Sequence, residues 1–188
     1  EVLGEHVHQR GSLVDSQRLR FDFSHAESVT GEQLRAVERS MNAYIFANTA
    51  VETDEMSMEQ AQDLGAMALF GEKYGDVVRV VRIGGEYSLE LCGGTHVQRT
   101  GEIGTVRILA ESSVASGVRR VEAVSGDRAL AHAHRAEEIL EDAAGALRAS
   151  RDTVGERVLS LVDENKRLQR DIQALQTKLA DASGSDLM

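Results

Sequence analysis

The hydrophobic period of this chain changes once, at Ser125-Gly126, and the change demands two kinds of structure from one polypeptide. Upstream, apolar and polar residues alternate singly. Leu19-Arg20-Phe21-Asp22-Phe23 does so, and Tyr87, Leu89 and Leu91 interleave with Glu86, Ser88 and Glu90. Such alternation belongs to strands with one wet and one buried face. Downstream, Leu130, Ala133, Glu137, Leu140, Ala144 and Leu147 are spaced by three and four. Val154, Val158, Leu161, Asn165, Leu168, Ile172, Leu175 and Leu179 then repeat the spacing more cleanly, a heptad seam with one Asn at an a-type position. The expected division is therefore 1–125 and 126–188. For the helical part an antiparallel hairpin turning near Arg151-Asp152 is favoured, because short connections make antiparallel neighbours. The alternative is a coiled coil that joins two copies into a homodimer.

Within 1–125 the turn and cap signals give an element order. Ser12-Leu13-Val14, a polar turn at Asp15-Ser16-Gln17, and Leu19–Phe23 read as a hairpin. Thr30 with Gln33 forms a capping box that opens a helix reaching about Asn48, with Leu34, Val37, Met41, Tyr44 and Ile45 on one face. Ala50–Thr53 reads as a short strand. Ser57 with Gln60 starts a second helix that ends near Gly65. Asp76–Ile83 and Glu86–Leu91 flank Gly84-Gly85, a strong hairpin signal. Thr105–Glu111 and Arg119–Val124 add two strands joined by a turn containing Gly117. The class is α+β, an antiparallel sheet with interleaved helices.

Composition narrows the function. Of the 188 residues 41% are hydrophobic, enough for a core, although aromatics are 4% and Trp is absent. The net charge of -10 weighs against a non-specific nucleic-acid binder, yet leaves room for local basic contacts. One cysteine excludes an intrachain disulfide and fits a reducing, cytoplasmic setting. No apolar run approaches the roughly 18 residues that span a membrane. The chain starts at Glu1, with Val2-Leu3-Gly4 reading as the last turn of a helix, so a piece of a longer protein is expected.

That lone cysteine lies in Cys92-Gly93-Gly94-Thr95-His96, at the end of a strand. A soft thiolate and an imidazole three residues apart are half of a tetrahedral zinc site, and the glycines allow both to reach one point. The bland alternative is a small buried thiol beside a surface histidine. His6 and His8 are the nearest further donors but converge only if residues 5–8 are extended. His25 reads as structural, and His132 and His134 as exposed on a helix. In Gln9-Arg10-Gly11-Ser12, a turn before a strand, the Gln9 amide and Ser12 hydroxyl could be offered to a substrate.

Gly4–Val14, Leu19–His25, Gly65–Tyr74, Glu90–His96, Arg99–Gly104 and Gly117–Val124, taken in order, resemble the editing domain of the bacterial alanyl-tRNA synthetase family. The similarity is close over 1–126 and weaker in the helices. It implies that residues 1–125 are that editing (second additional) domain, truncated at its N-terminus. In the family zinc is held by a His-x-x-x-His pair on a helix and by the Cys and His of this turn. Cys92 and His96 match the second pair; the first is expected upstream of residue 1, together with the aminoacylation domain and its ATP and magnesium.

The implied activity has a physical motive: an alanine pocket discriminates against glycine or serine by only about 1–3 kcal/mol, so a second site must hydrolyse the wrong ester. The resemblance implies a parent that ligates alanine to tRNA(Ala), with this region removing Ser or Gly from the tRNA acceptor end. It places Gln9 in the editing pocket and gives Cys92 and His96 to the metal; together with the reading of the residues, Gln9 and Cys92 are expected in catalysis and Gln9, Ser12, Gly93, Gly94 and Thr95 in substrate binding. The competing expectations are a non-catalytic tRNA-docking or dimerisation fragment and a free-standing editing protein.

Overall fold

The structure is a computed structural model that describes residues 2–67, 74–85 and 87–185. Residues 68–73 of the Gly65–Tyr74 motif and Glu86 of the second hairpin lie outside the described residues. The chain divides into two units, Glu1–His132 and Ala133–Met188.

In the first unit the elements are β1 (Gln9–Val14), β2 (Leu19–Ser24), α1 (Gly31–Phe46), β3 (Val51–Ser57), α2 (Met58–Asp63), β4 (Val77–Ile83), β5 (Ser88–Leu91), a 3-10 turn (Thr100–Ile103), β6 (Val106–Ala115) and β7 (Val118–Ser125). The α+β class stands, but the strands form two sheets rather than one. One has the order β1-β2-β7-β6 and the other β3-β4-β5. Every strand pair is antiparallel.

Local chemistry sets the boundaries. Both capping boxes form: Thr30 with Gln33 on α1, and Ser57 with Gln60 on α2. Ser57 ends β3 and caps α2 at once, so the chain passes from strand to helix without a loop. The β1–β2 turn is closed by Asp15, whose Oδ1 accepts from the Gln17 and Arg18 amides at 2.7 and 2.9 Å. Those two amides also hold the Asp15 carboxyl below the usual range.

β6 is an edge strand, and α1 covers it with polar side chains. The Asn42 amide donates to the Val106 carbonyl and its Oδ1 accepts from the Val106 N–H, both at 2.9 Å. One turn earlier, Glu38 Oε2 accepts from the Ile108 N–H at 2.7 Å. Two residues of one helix face thus stand in for a neighbouring strand, which blunts the edge. Behind them Ile45, Val106 and Ala123 form the core of this layer, while Ala61, Val78, Val80 and Leu91 form that of the three-stranded sheet.

α3 (Asp127–Leu147) starts in the first unit and continues into the second, where α4 (Val154–Ser185) follows. The expected break is present: Arg148 takes a positive φ of 52°, and Thr153 receives the Ser150 amide at 3.1 Å. The favoured packed hairpin is not. α3 and α4 form no extended interface among the described residues, and Leu168, Ile172, Leu175 and Leu179 are exposed. In the α3 stripe Leu130, Leu140 and Leu147 alternate with Ala133, Glu137 and Ala144, so it offers less apolar area than the Leu/Ile seam of α4.

Candidate functional site

Strand alternation places the Cys92 turn. Val78, Val80 and Leu91 point into the core of the three-stranded sheet. Arg79 and Cys92, each one residue along, therefore belong to its opposite face. The Cys92 N–H donates to the Arg79 carbonyl at 3.1 Å, extending the β4–β5 ladder by one bond. The Arg79 guanidinium then donates to the Gly93 carbonyl at 3.3 Å and to the Gly94 carbonyl at 2.5 Å. Cys92 is half-buried, while Gly93, Gly94, Thr95 and His96 are exposed.

Neither Gly93 nor Gly94 takes a positive φ, so the turn does not need glycine for its backbone angles. A Cβ on Gly93 would meet nothing within 4 Å, and one on Gly94 would sit 3.6 Å from the Cys92 sulfur. Their effect is to leave the turn open above the thiol.

Gln9 and Ser12 are brought together by an irregularity that the sequence did not reveal. The expected turn at Gln9–Ser12 is instead part of β1, with a register shift between Gln9 and Gly11 against β2. In a regular strand residues i and i+3 face opposite sides; the inserted residue of a bulge restores them to one side. The Gln9 amide accordingly reaches the Ser12 hydroxyl at 3.3 Å.

The histidines assemble differently from the metal expectation. His6 Nε2 lies 2.8 Å from His25 Nδ1, with the rings stacked at 5.1 Å. Ser24 ties the segment down, its hydroxyl donating to the His6 carbonyl and accepting from the His8 N–H, both at 2.9 Å. His132 and His134 are exposed on α3, as expected.

The sulfur of Cys92 and the imidazole of His96, at a strand end, are donor types that zinc takes. Among the described residues, however, no group of three or more His, Cys, Asp or Glu side chains could hold a metal ion. His6 and His8 do not complete the set. Among the described residues Cys92 and His96 are two candidate donors, where a closed site takes four.

Two ion pairs pin the four-stranded sheet. Arg120 binds Asp22 through two parallel bonds of 2.6 and 2.7 Å, across the β2–β7 register. Arg119 grips Glu111 in the same bidentate way from β7 to β6. The hydrogen-bonded guanidinium holds the Asp22 carboxyl below its ordinary value, against the opposing effect of burial, and Arg119 does the same for Glu111. Period-2 reading marks these charges as facing solvent; only the register makes them partners.

The Arg99–Gly104 motif proves to be structural. The Thr100 hydroxyl donates to the Tyr44 carbonyl at 2.9 Å, and Arg99 donates to the Asn48 carbonyl and side chain, locking the end of α1. A Cβ on Gly101 would lie 2.6 Å from Asn48 Oδ1, so a side chain there would have to displace Asn48 from its contact with Arg99. A cavity of about 570 Å³ opens beside the β1–β2 turn and the start of α3, lined by Asp15, Arg18 and Arg128 among others. None of the sequence-derived site residues lines it.

Comparison with known proteins gives the site a context. Residues 78–122, which contain the Cys92 turn and Arg79, match the threonyl and alanyl tRNA synthetase second additional domain. The alanine–tRNA ligase of Pseudomonas fluorescens Pf-5 is 54% identical over 187 residues. Those of Pseudomonas syringae pv. syringae and pv. tomato are 53% and 54% identical over the same length. Each match covers 100% of this chain but 21% of the relative, so the chain spans about a fifth of the length of the curated relatives it matches. Along its full length this chain is therefore similar to a segment of the alanine–tRNA ligases, and within it residues 78–122 match the second additional domain of threonyl and alanyl tRNA synthetases.

Proposed function

We propose that this region proofreads: it hydrolyses the ester that links serine or glycine to the 3′ end of mischarged tRNA(Ala), as part of a protein that joins alanine to that tRNA with ATP. The observation that supports this reading is the end-to-end identity to alanine–tRNA ligases together with a domain match that encloses Cys92–His96. In the hydrolysis, water adds to the ester carbonyl carbon, charge builds on the carbonyl oxygen, and the bond to the ribose oxygen breaks. The products are the amino-acid carboxylate, the ribose hydroxyl and one proton.

The residues divide the work. Gln9, held by Ser12, presents an amide that can both donate and accept, which suits orienting the water or the substrate amino group. Gly93, Gly94 and Thr95 present open backbone to the terminal adenosine and its ester. Cys92 and His96 provide two donors for zinc, which when bound supplies Lewis-acid polarisation or an activated water.

Serine release from Ser-tRNA(Ala) tests the assignment, using the full-length ligase that contains this segment. Cys92→Ala is expected to slow release by about 10–100-fold, and undiminished release would remove Cys92 from the site. Metal analysis of the 188-residue chain is expected to find less than one tightly held zinc per chain.

The exposed α4 seam favours a second role for residues 126–188, self-association through the heptads. Sedimentation is expected to show a dimer, with Asn165→Val shifting the mass to higher or mixed states. An unchanged monomer mass in both proteins would exclude it.

A further inference from the structure

The Cys92 turn is held from beneath by one side chain, and we propose that Arg79 is the positioning residue of this site. Three bonds carry the inference. The Arg79 carbonyl receives the Cys92 N–H, and the Arg79 guanidinium reaches the next two carbonyls, those of Gly93 and Gly94. A single residue of β4 therefore fixes three successive residues of a turn that is otherwise exposed and carries two glycines.

Peptide planarity gives the clamp a consequence. The peptide bonds among the described residues are trans, so each N–H there points opposite to the carbonyl before it. With the Gly93 and Gly94 carbonyls turned toward Arg79, the N–H groups of Gly94 and Thr95 are directed away from it. Among the described residues no hydrogen bond uses either N–H. Two adjacent donors, fixed by the clamp and with no partner among the described residues, suit an oxygen on which charge develops. They follow Cys92 directly in the chain, and a Cβ on Gly93 would meet nothing within 4 Å.

Arginine suits the clamp because its planar fork presents several donors in fixed directions, whereas lysine offers a single ammonium point. The importance of the clamp for hydrolysis rests on the proofreading reading. The geometry of the clamp does not.

The test separates the two. In the 188-residue chain, Arg79→Met keeps the β4 backbone bond and the aliphatic stem but removes the fork. Amide relaxation of Gly93, Gly94 and Thr95 is expected to fall from order parameters of about 0.85 to below about 0.6, with a native-like thermal transition retained. Arg79→Lys should fall between the two. Unchanged order parameters in Arg79→Met overturn the proposal. In the full-length ligase, kcat for serine release is expected to drop by about 10–100-fold with KM within about two-fold, and Arg79→Lys to recover part of the loss. A loosened turn with unchanged kcat overturns the positioning role and leaves proofreading intact. Absence of serine release in the unmodified ligase overturns the proofreading reading and leaves the clamp standing on its order parameters.

Discussion

The two units spend their apolar residues in opposite ways. In Glu1–His132 the strands and short helices close over Leu91 and Val80, both 2% exposed or less, and over Ile45 and Ala123. In Ala133–Met188 the seam residues Leu168, Ile172, Leu175 and Leu179 stay 48% to 67% exposed. Their ion pairs divide in the same way. Arg120–Asp22 and Arg119–Glu111 are bidentate and largely shielded. Lys166–Asp163 and Arg167–Glu164 are helix-surface pairs at 3.7 and 4.0 Å, of a kind that contributes little. A strand comes with its partners, because turns and register bring them. A helical stripe shows only that some face wants covering.

The sharpest way to break this contrast is a core truncation. Leu91→Ala removes a buried side chain from the three-stranded sheet and is expected to cost about 2–5 kcal/mol in denaturant unfolding. A loss below about 1 kcal/mol would mean that this core is looser than its burial implies.

Acid provides an intermediate effect. Asp22 and Glu111 have folded-state pKa values below their ordinary 3.8 and 4.5. A depressed folded value means that the stabilisation is fully present above the unfolded value and disappears as pH falls through the folded one. The sheet unit should therefore lose stability from about pH 5 downward, and Asp22→Asn should flatten that limb in thermal melts. An unchanged acid limb in Asp22→Asn would show that the Arg120 pair does not control it.

The smallest effect is expected on α4. Leu168→Ala should change monomer stability by no more than about 0.5 kcal/mol, as for a surface site. If the seam is covered by a second copy, the loss grows and becomes concentration-dependent, and melts at two protein concentrations distinguish the cases.

Much of the first unit was legible because its signals are local. Thr30 with Gln33, Ser57 with Gln60, and the alternation ending at Leu91 each need only a few neighbouring residues, and all three appear where expected. The candidate site was legible only in its residue types. Cys92 and His96 stand out by residue type and spacing. Arg79 carries no local mark, since its role depends on β4 lying beside β5 with the register that sets Val80 opposite Leu91. The Gln9–Ser12 contact was hidden for a related reason: a one-residue bulge reverses strand parity and leaves no signature in composition.

The sequence by itself determined the family resemblance, the main element types and the change from strands to helices after Ser125-Gly126, and it singled out Cys92 and His96 as candidates, because periodicity, caps and motif order are properties of neighbouring residues. Tertiary structure alone decided that the strands split into two sheets, that Asp22 and Glu111 meet Arg120 and Arg119, and that Arg79 lies under the Cys92 turn. It also decided that α3 does not cover α4. Each of these depends on which distant segments become neighbours, and that is set by register and by the apolar area on both partners, not by the pattern of either one.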